Sequence, residues 1–273
     1  MYKTAQKIWR SLTSAKFRSR IARIRFALSD VPILLNPTFA DDGLITQHIT
    51  GFFQDSKFME AYELGRGTGG LKAHPGDIHF RAYVVCWAAK YALKLDGDFV
   101  ECGVGTGIFS RILTHYVDFE KQPKKFYLFD TFSGIPLEDA SSSQERENMA
   151  ILNDAHFHKD DFYSNVSHTF SKYPNVIIVK GKVPASFQTI TLNSISYISI
   201  DMNNANAEIA AIDHLWDKLV FGGVIVLDDY AYGEEFIEQK IAWDKFAKLN
   251  NFDILTLPTG QGLIIKNGGP SMG

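Results

Sequence analysis

From Gly97 onward the chain alternates short, unbroken apolar runs with amphipathic ones. No other feature constrains the fold as much. "DFVECG", "KKFYLFDTF", "NVIIVKG", "ISYISID" and "GGVIVLDD" have the length and continuity of strands buried on both faces. "FSRILTHYVDF" and "AEIAAIDHLWDKLV" are amphipathic and helical, and "PASFQTI" suits only a short helix or turn. In the second of those helices Ile209, Ile212, Leu215 or Trp216, and Leu219 share one face, and Asn206 is a candidate cap. After a further helix, "EEFIEQKIAWDKFAKLN", the segment "FDILTLPTGQGLIIKN" reads as two strands joined by a Pro-Thr-Gly turn. Repeated β–α units of this kind predict an α/β fold. Its mostly parallel, doubly wound, Rossmann-like sheet has helices on both faces and an antiparallel C-terminal strand at its edge.

The segments before Gly97 predict something different. Helix is expected to about Leu28, then an extended or looped stretch where Pro32 and Pro37 interrupt helical periodicity. A short helix over 57–64, a flexible loop at "GRGTGG" and a helix from Ile78 to Leu95 follow. That last helix is apolar around much of its circumference, which implies extensive burial. Residues 1–75 are thus expected to form a helical and looped extension serving as a cap or oligomerisation element. Residues 76–267 are expected to form the α/β domain, with a lid-like polar insertion at 138–172, and 268–273 a tail.

Charge is uneven. Residues 1–28 carry eight Lys and Arg and no acid, leaving 20 basic against 31 acidic residues in the rest. The expectation is a solvated basic helix packing on an acidic body or on a second copy, not on nucleic acid. No apolar run reaches the roughly 18–20 residues that span a bilayer. The N-terminus has no secretory pattern, and Cys86 and Cys102 both sit in apolar surroundings. Buried reduced thiols in a cytoplasmic protein are the expectation.

Ligands of such sheets bind beyond the C-terminal strand ends. Here those ends carry Glu101, Asp130, Gly181, Asp201 and the adjacent pair Asp228 and Asp229. "VECGVGTGIFSR" sets Gly103, Gly105 and Gly107 between a strand and a helix, where glycine lets a ligand approach the backbone. A dinucleotide fingerprint would need a glycine at 108, which is Ile108. Glu101, two residues before the first glycine, would repel a pyrophosphate but attract an ammonium. S-adenosylmethionine carries an ammonium and a sulfonium and no phosphate. A carboxylate at Asp130 can accept both ribose hydroxyl protons. An oxidoreductase on the same kind of sheet is the reading these residues disfavour.

"GDFVECGVGTG", "FYLFDTFSGIP", "VKGKVPASF", "ISYISIDMN" and "GGVIVLDDY", in that order and spacing, resemble the macrocin O-methyltransferase family over roughly residues 77–266. These are S-adenosylmethionine-dependent enzymes that methylate sugar hydroxyls of natural products. The resemblance implies cofactor contacts at Glu101, Gly103, Gly105 and Asp130, with Thr106, Ser110 and Phe132 alongside and the segment Gly181–Phe187 by the adenine. It implies a divalent cation, usually magnesium, at Asp201, Asp228 and Asp229, and a sugar-like hydroxylated acceptor. A catechol-type enzyme is a neighbouring reading, but its strand end usually reads Asp-Asn. A non-catalytic cofactor-binding protein is a third.

The chemistry suits the residues. Hard divalent cations prefer carboxylate oxygens. Adjacent residues within a strand point to opposite faces, so Asp228 and Asp229 can share an ion only where the strand ends. Without a cation, three clustered carboxylates repel and at least one has its pKa raised. One position departs from the pattern. The resemblance implies an acid two residues after the first metal ligand, proposed as the base, and this chain has Asn203 there. Asn cannot take a proton. His156 and His158, in the polar insertion, are the expected substitutes.

Overall fold

The computed structural model describes residues 37–71, 76–156 and 162–267, with His156 described by its backbone alone. The expected N-terminal basic helix, the tail at 268–273 and His158 lie outside the described residues.

The elements run in chain order as follows. Strands β1 (Phe39–Asp41) and β2 (Leu44–Thr46) form a small antiparallel hairpin. Helices α1 (Ser56–Arg66) and α2 (His79–Ala92) follow. Then come β3 (Asp98–Cys102), α3 (Ile108–Tyr116), β4 (Phe126–Asp130), α4 (Ser143–His156), α5 (Phe162–Phe170) and β5 (Val176–Lys180). The chain continues through β6 (Ile195–Ile200), α6 (Ala205–Leu215), β7 (Leu219–Leu227), α7 (Ile237–Asn250), β8 (Leu255–Thr256) and β9 (Gly262–Ile265).

The seven-stranded sheet has the order β5-β4-β3-β6-β7-β9-β8. Pairs among β3 to β7 are parallel, while β9 pairs antiparallel with both β7 and β8. The C-terminal hairpin therefore forms the antiparallel edge that the sequence predicts, with β9 on the inside and β8 outermost. Ile264 of β9 is buried and takes an inner place, while both residues of β8 are exposed and form the rim. Burial decides between the two arms of the hairpin.

Side chains alternate between two cores, as strand geometry requires. Phe99, Leu128, Tyr197, Val224 and Val226 face α1, α2 and α3. Val100, Cys102, Ile198, Ile200, Ile225 and Leu227 face α6 and α7. Cys86 and Cys102 are buried free thiols, as expected. Among the described residues no helix is long and apolar enough to cross a membrane.

Three local readings change. Asn204, not Asn206, caps α6: its side chain accepts from the Ala207 amide at 2.7 Å, while Asn206 donates to the Asp139 carbonyl. The face expected for that helix also shortens, because Leu219 already belongs to β7. "GRGTGG" is not simply a flexible loop. Gly65 lies in the last turn of α1, where a Cβ would sit 2.3 Å from Ile112 Cγ1, so its lack of a side chain lets α1 close on α3.

Chain order reverses beside β3: β4 and β5 build outward one way, β6 and β7 the other. The crevice for a ligand opens at such a switch point, above the C-terminal strand ends.

Candidate active site

Glu101 follows the parity of Phe99 and turns toward α3, where the Ser110 hydroxyl donates to its Oε2 at 2.6 Å. Glu101 as a whole is 3% exposed. Burial, with smaller contributions from Asp201 and Asp130, pushes its pKa up to about 8 against the pull of the Ser110 hydrogen bond. A carboxyl so placed waits for a cationic partner.

The glycine turn that follows is held at both ends. The Gly103 amide donates to the Phe129 carbonyl at 2.9 Å, and the Asp201 amide donates to the Cys102 carbonyl at 2.9 Å. Asp130 Oδ2 accepts from the amides of Val104 and Gly105 at 2.7 and 2.9 Å, and Oδ1 from Phe132 at 2.5 Å. The Asp130 side chain thus ties the end of β4 to the turn after β3. The Gly181 amide joins the same corner by donating to the Asp130 carbonyl at 2.9 Å. The Thr106 hydroxyl meets that of Thr68 at 3.0 Å, so the segment after α1 lies against the turn. The Phe132 ring packs edge-on to Tyr163 of α5.

Asp201, Asp228 and Asp229 come together as the sequence predicts: each offers a carboxylate oxygen within 4.8 Å of the others. Burial, then the nearby Asp229, raises the pKa of Asp201. This all-oxygen donor set fits a hard divalent cation.

The sequence reading missed a guanidinium. Asp228 continues the parity of Val224 and Val226 and so points at α2, where Arg81 meets it. Arg81 Nε donates to Asp228 Oδ1 at 3.1 Å and Nη2 to Asp228 Oδ2, and Nη2 also reaches Asp229 Oδ1 at 3.2 Å. Gln261, after the hairpin turn, donates to Asp228 Oδ1 at 2.9 Å. On its far side Arg81 lies 3.8 Å from Asp42 Oδ1 and over the Tyr232 ring, 4.9 Å from its centroid. Burial works against the Arg81 charge, but Asp229, Asp42 and Asp201 outweigh it and raise the pKa. One signal was available in the sequence. An Arg inside a helix that is apolar almost all round must be paired with an acid, because buried charges are seldom left alone.

Asn203 sits in the left-handed region at φ 53°, and its amide donates to Asp201 Oδ1 at 3.3 Å. It steadies that carboxylate and offers no base. The polar insertion is docked at its start. Glu145 of α4 accepts from the Ala205 amide at 2.8 Å, and Met149 is fully buried next to Asn204. His156 ends α4, and its side chain lies outside the described residues.

The geometry can be set beside known proteins. A sequence model of the macrocin-O-methyltransferase family matches residues 78–255. Among solved structures, the O-methyltransferase NovP is similar with a TM-score of 0.58 at 17% identity, over 69% of this chain and 80% of that one. The calicheamicin methyltransferase CalS11 is similar with a TM-score of 0.56 at 15% identity, over 80% of this chain and 94% of that one. The Podospora anserina methyltransferase PaMTH1, solved with S-adenosylhomocysteine bound, gives 0.51 at 14% identity, over 78% and 88%. At such identities the likeness speaks for the fold. No curated protein matches the chain. The family match covers well over half of the sequence and includes the strand ends that carry Glu101, Asp130, Gly181, Asp201, Asp228 and Asp229. The chain belongs to the macrocin-O-methyltransferase family and is an S-adenosylmethionine-dependent O-methyltransferase.

Proposed function

We propose that the protein methylates a hydroxyl of a sugar or related polyol in natural-product biosynthesis, with a divalent cation, magnesium by preference, at Asp201, Asp228 and Asp229. The observation that carries this reading is the convergence of those three carboxylates on one point, beside the strand ends bearing Glu101 and Asp130. A similar solved structure lends support, being a calicheamicin methyltransferase. The Asp228-Asp229 pair favours this reading over a catechol-type enzyme.

In this account Glu101, ionised on binding, receives the cofactor ammonium, and Ser110 orients it. Asp130 receives the ribose hydroxyls, exchanging one or more of its backbone donors for them. Gly103, Gly105 and Thr106 line the approach to the donor, and Phe132 and Gly181 flank its adenine. A divalent cation, when bound, lowers the pKa of a hydroxyl it ligates. The chain's own part is to position the acceptor for in-line attack and to take away its proton. Asn203 cannot do the latter, so His156 and His158 are assigned to it.

The domain roles belong to the same proposal. Residues 76–267 form the catalytic domain. The described part of the preceding extension supplies Asp42, whose carboxylate accepts from the Tyr232 hydroxyl at 3.0 Å. With the 138–172 insertion it shapes the acceptor pocket. The basic N-terminus is the candidate element for pairing two copies, and the cytoplasm is the expected location.

Formation of S-adenosylhomocysteine with glycosylated and catechol acceptors tests the reading. Turnover is expected with the sugar-bearing acceptors only. A chelator should lower it at least tenfold and excess magnesium restore it. A rate indifferent to chelator would remove the cation from the account. His156→Ala or His158→Ala is expected to cost roughly 10²–10⁴-fold in turnover with cofactor affinity intact. Near-normal turnover in both variants would remove the histidines.

A further inference from the structure

We infer that Arg81 is the resident cation of the Asp201, Asp228, Asp229 cluster, and that a divalent metal ion enters only by displacing its guanidinium from Asp228 onto Asp42. The inference rests on the reading of those three aspartates as metal ligands.

Asp228 has few lone pairs to spare. Its two oxygens accept both arms of the Arg81 fork, and Oδ1 takes a third hydrogen from Gln261. A carboxylate offers about four acceptor sites, and a bidentate guanidinium spans the two that point outward together. The same Nη2 also engages Asp229. Nη2 touches one oxygen of each aspartate, so a metal ion bridging those same two oxygens competes with it for the position. Two cations cannot share that position, and at such range their repulsion in a buried site is strong. Guanidinium and metal therefore exclude one another.

The structure also provides a place for the displaced group. Asp42, at the tip of the β1–β2 hairpin, has a side chain only 2% exposed, and its Oδ1 lies 3.8 Å from Arg81 Nη1. That separation is just beyond a hydrogen bond, so a small rotation closes it. The Tyr232 ring lies over the guanidinium and its hydroxyl donates to the same Asp42 oxygen. Tyr232 thus sits against both partners of the alternative pair. Arg81 has acids on two sides, Asp228 and Asp229 on one and Asp42 on the other, and the metal decides which side it holds.

Two consequences can be measured. Metal affinity of the wild-type protein is set by the cost of moving Arg81, so removing the guanidinium should raise it. Removing the alternative acid should lower it. Manganese is the probe, followed by electron paramagnetic resonance of the free ion and by the melting temperature. Arg81→Gln is expected to bind manganese at least tenfold more tightly than wild type and to gain more melting temperature from it. Asp42→Asn is expected to bind it at least threefold more weakly. Asp201→Asn should lose binding in either background.

Equal or weaker binding by Arg81→Gln, with binding still abolished by Asp201→Asn, would overturn the role of Arg81 and leave the metal site standing. Absence of binding in both wild type and a folded Arg81→Gln would overturn both. If Arg81→Gln does not fold, Asp42→Asn decides: weaker binding supports displacement, and unchanged or tighter binding overturns it.

Discussion

Glu101→Gln is expected to weaken S-adenosylmethionine binding roughly 10- to 100-fold, the worth of a charge-assisted hydrogen bond, while making the ligand-free protein more stable. The two effects have one cause. Glu101 is almost fully buried, and burial lifts its pKa from the ordinary 4.5 to about 8. The folded chain therefore holds this proton more tightly than the unfolded chain. Glu101 contributes its stability in full below pH 4.5, and the contribution drains away as pH rises through 8. Gln keeps the shape and has no proton to lose. The melting temperature of the variant should draw ahead of wild type progressively between pH 5 and 9, by several degrees at the upper end. A cofactor ammonium reverses the balance by supplying the charge that the carboxylate lacks. Scanning calorimetry across that range, with and without cofactor, measures both effects. Parallel pH profiles for the two proteins would mean that Glu101 is not the strained acid described.

Gly103→Ala is expected to be among the most damaging single methyl additions in the molecule. Gly103 follows β3 with φ 87°, and a Cβ there would lie 1.9 Å from the Asp201 carbonyl oxygen and 2.5 Å from its carbon. Those atoms are backbone, held by the hydrogen bond that the Asp201 amide donates to the Cys102 carbonyl, and cannot swing aside. The ends of β3 and β6 would have to part at the switch point itself. A loss above about 4 kcal/mol is expected, with a fall in melting temperature on the order of 10 °C. A melting temperature within a degree or two of wild type would show that the crossing of these strands is looser than described. The close approach also explains why a metal-ligand candidate and the first cofactor-turn glycine are neighbours. One backbone contact joins the two halves of the site.

Much of this was legible in the sequence for a physical reason. Parallel strands covered on both faces read as unbroken apolar runs, so β3 to β7 stand out by composition alone, and the acids at their ends stand out against them. The strand ends then gather those acids by topology. Features that depend on contacts across the chain were not legible. Arg81 and Asp228 are separated by 147 positions, and only the packing of α2 against β7 brings them together. The place of β9 between β7 and β8 depends on which hairpin arm buries better, and both arms look alike as strings. "DMNNANAE" offers several plausible caps for α6, and the direction in which the chain leaves β6 selects Asn204. The sequence also foresaw repulsion among three carboxylates without foreseeing a guanidinium in their midst. Its logic held, since buried acids need a cation, but the chain supplies one of its own.

In the function proposed above, the crevice over β3 and β4 holds S-adenosylmethionine through Glu101 and Asp130. Isothermal titration of wild type and Asp130→Ala with S-adenosylmethionine, S-adenosylhomocysteine and a nicotinamide dinucleotide tests it most directly. Wild type is expected to bind the two adenosyl ligands and not the dinucleotide, and Asp130→Ala to lose at least about tenfold in affinity for both. Binding of the dinucleotide without the adenosyl ligands, or adenosyl binding untouched by Asp130→Ala, would contradict it.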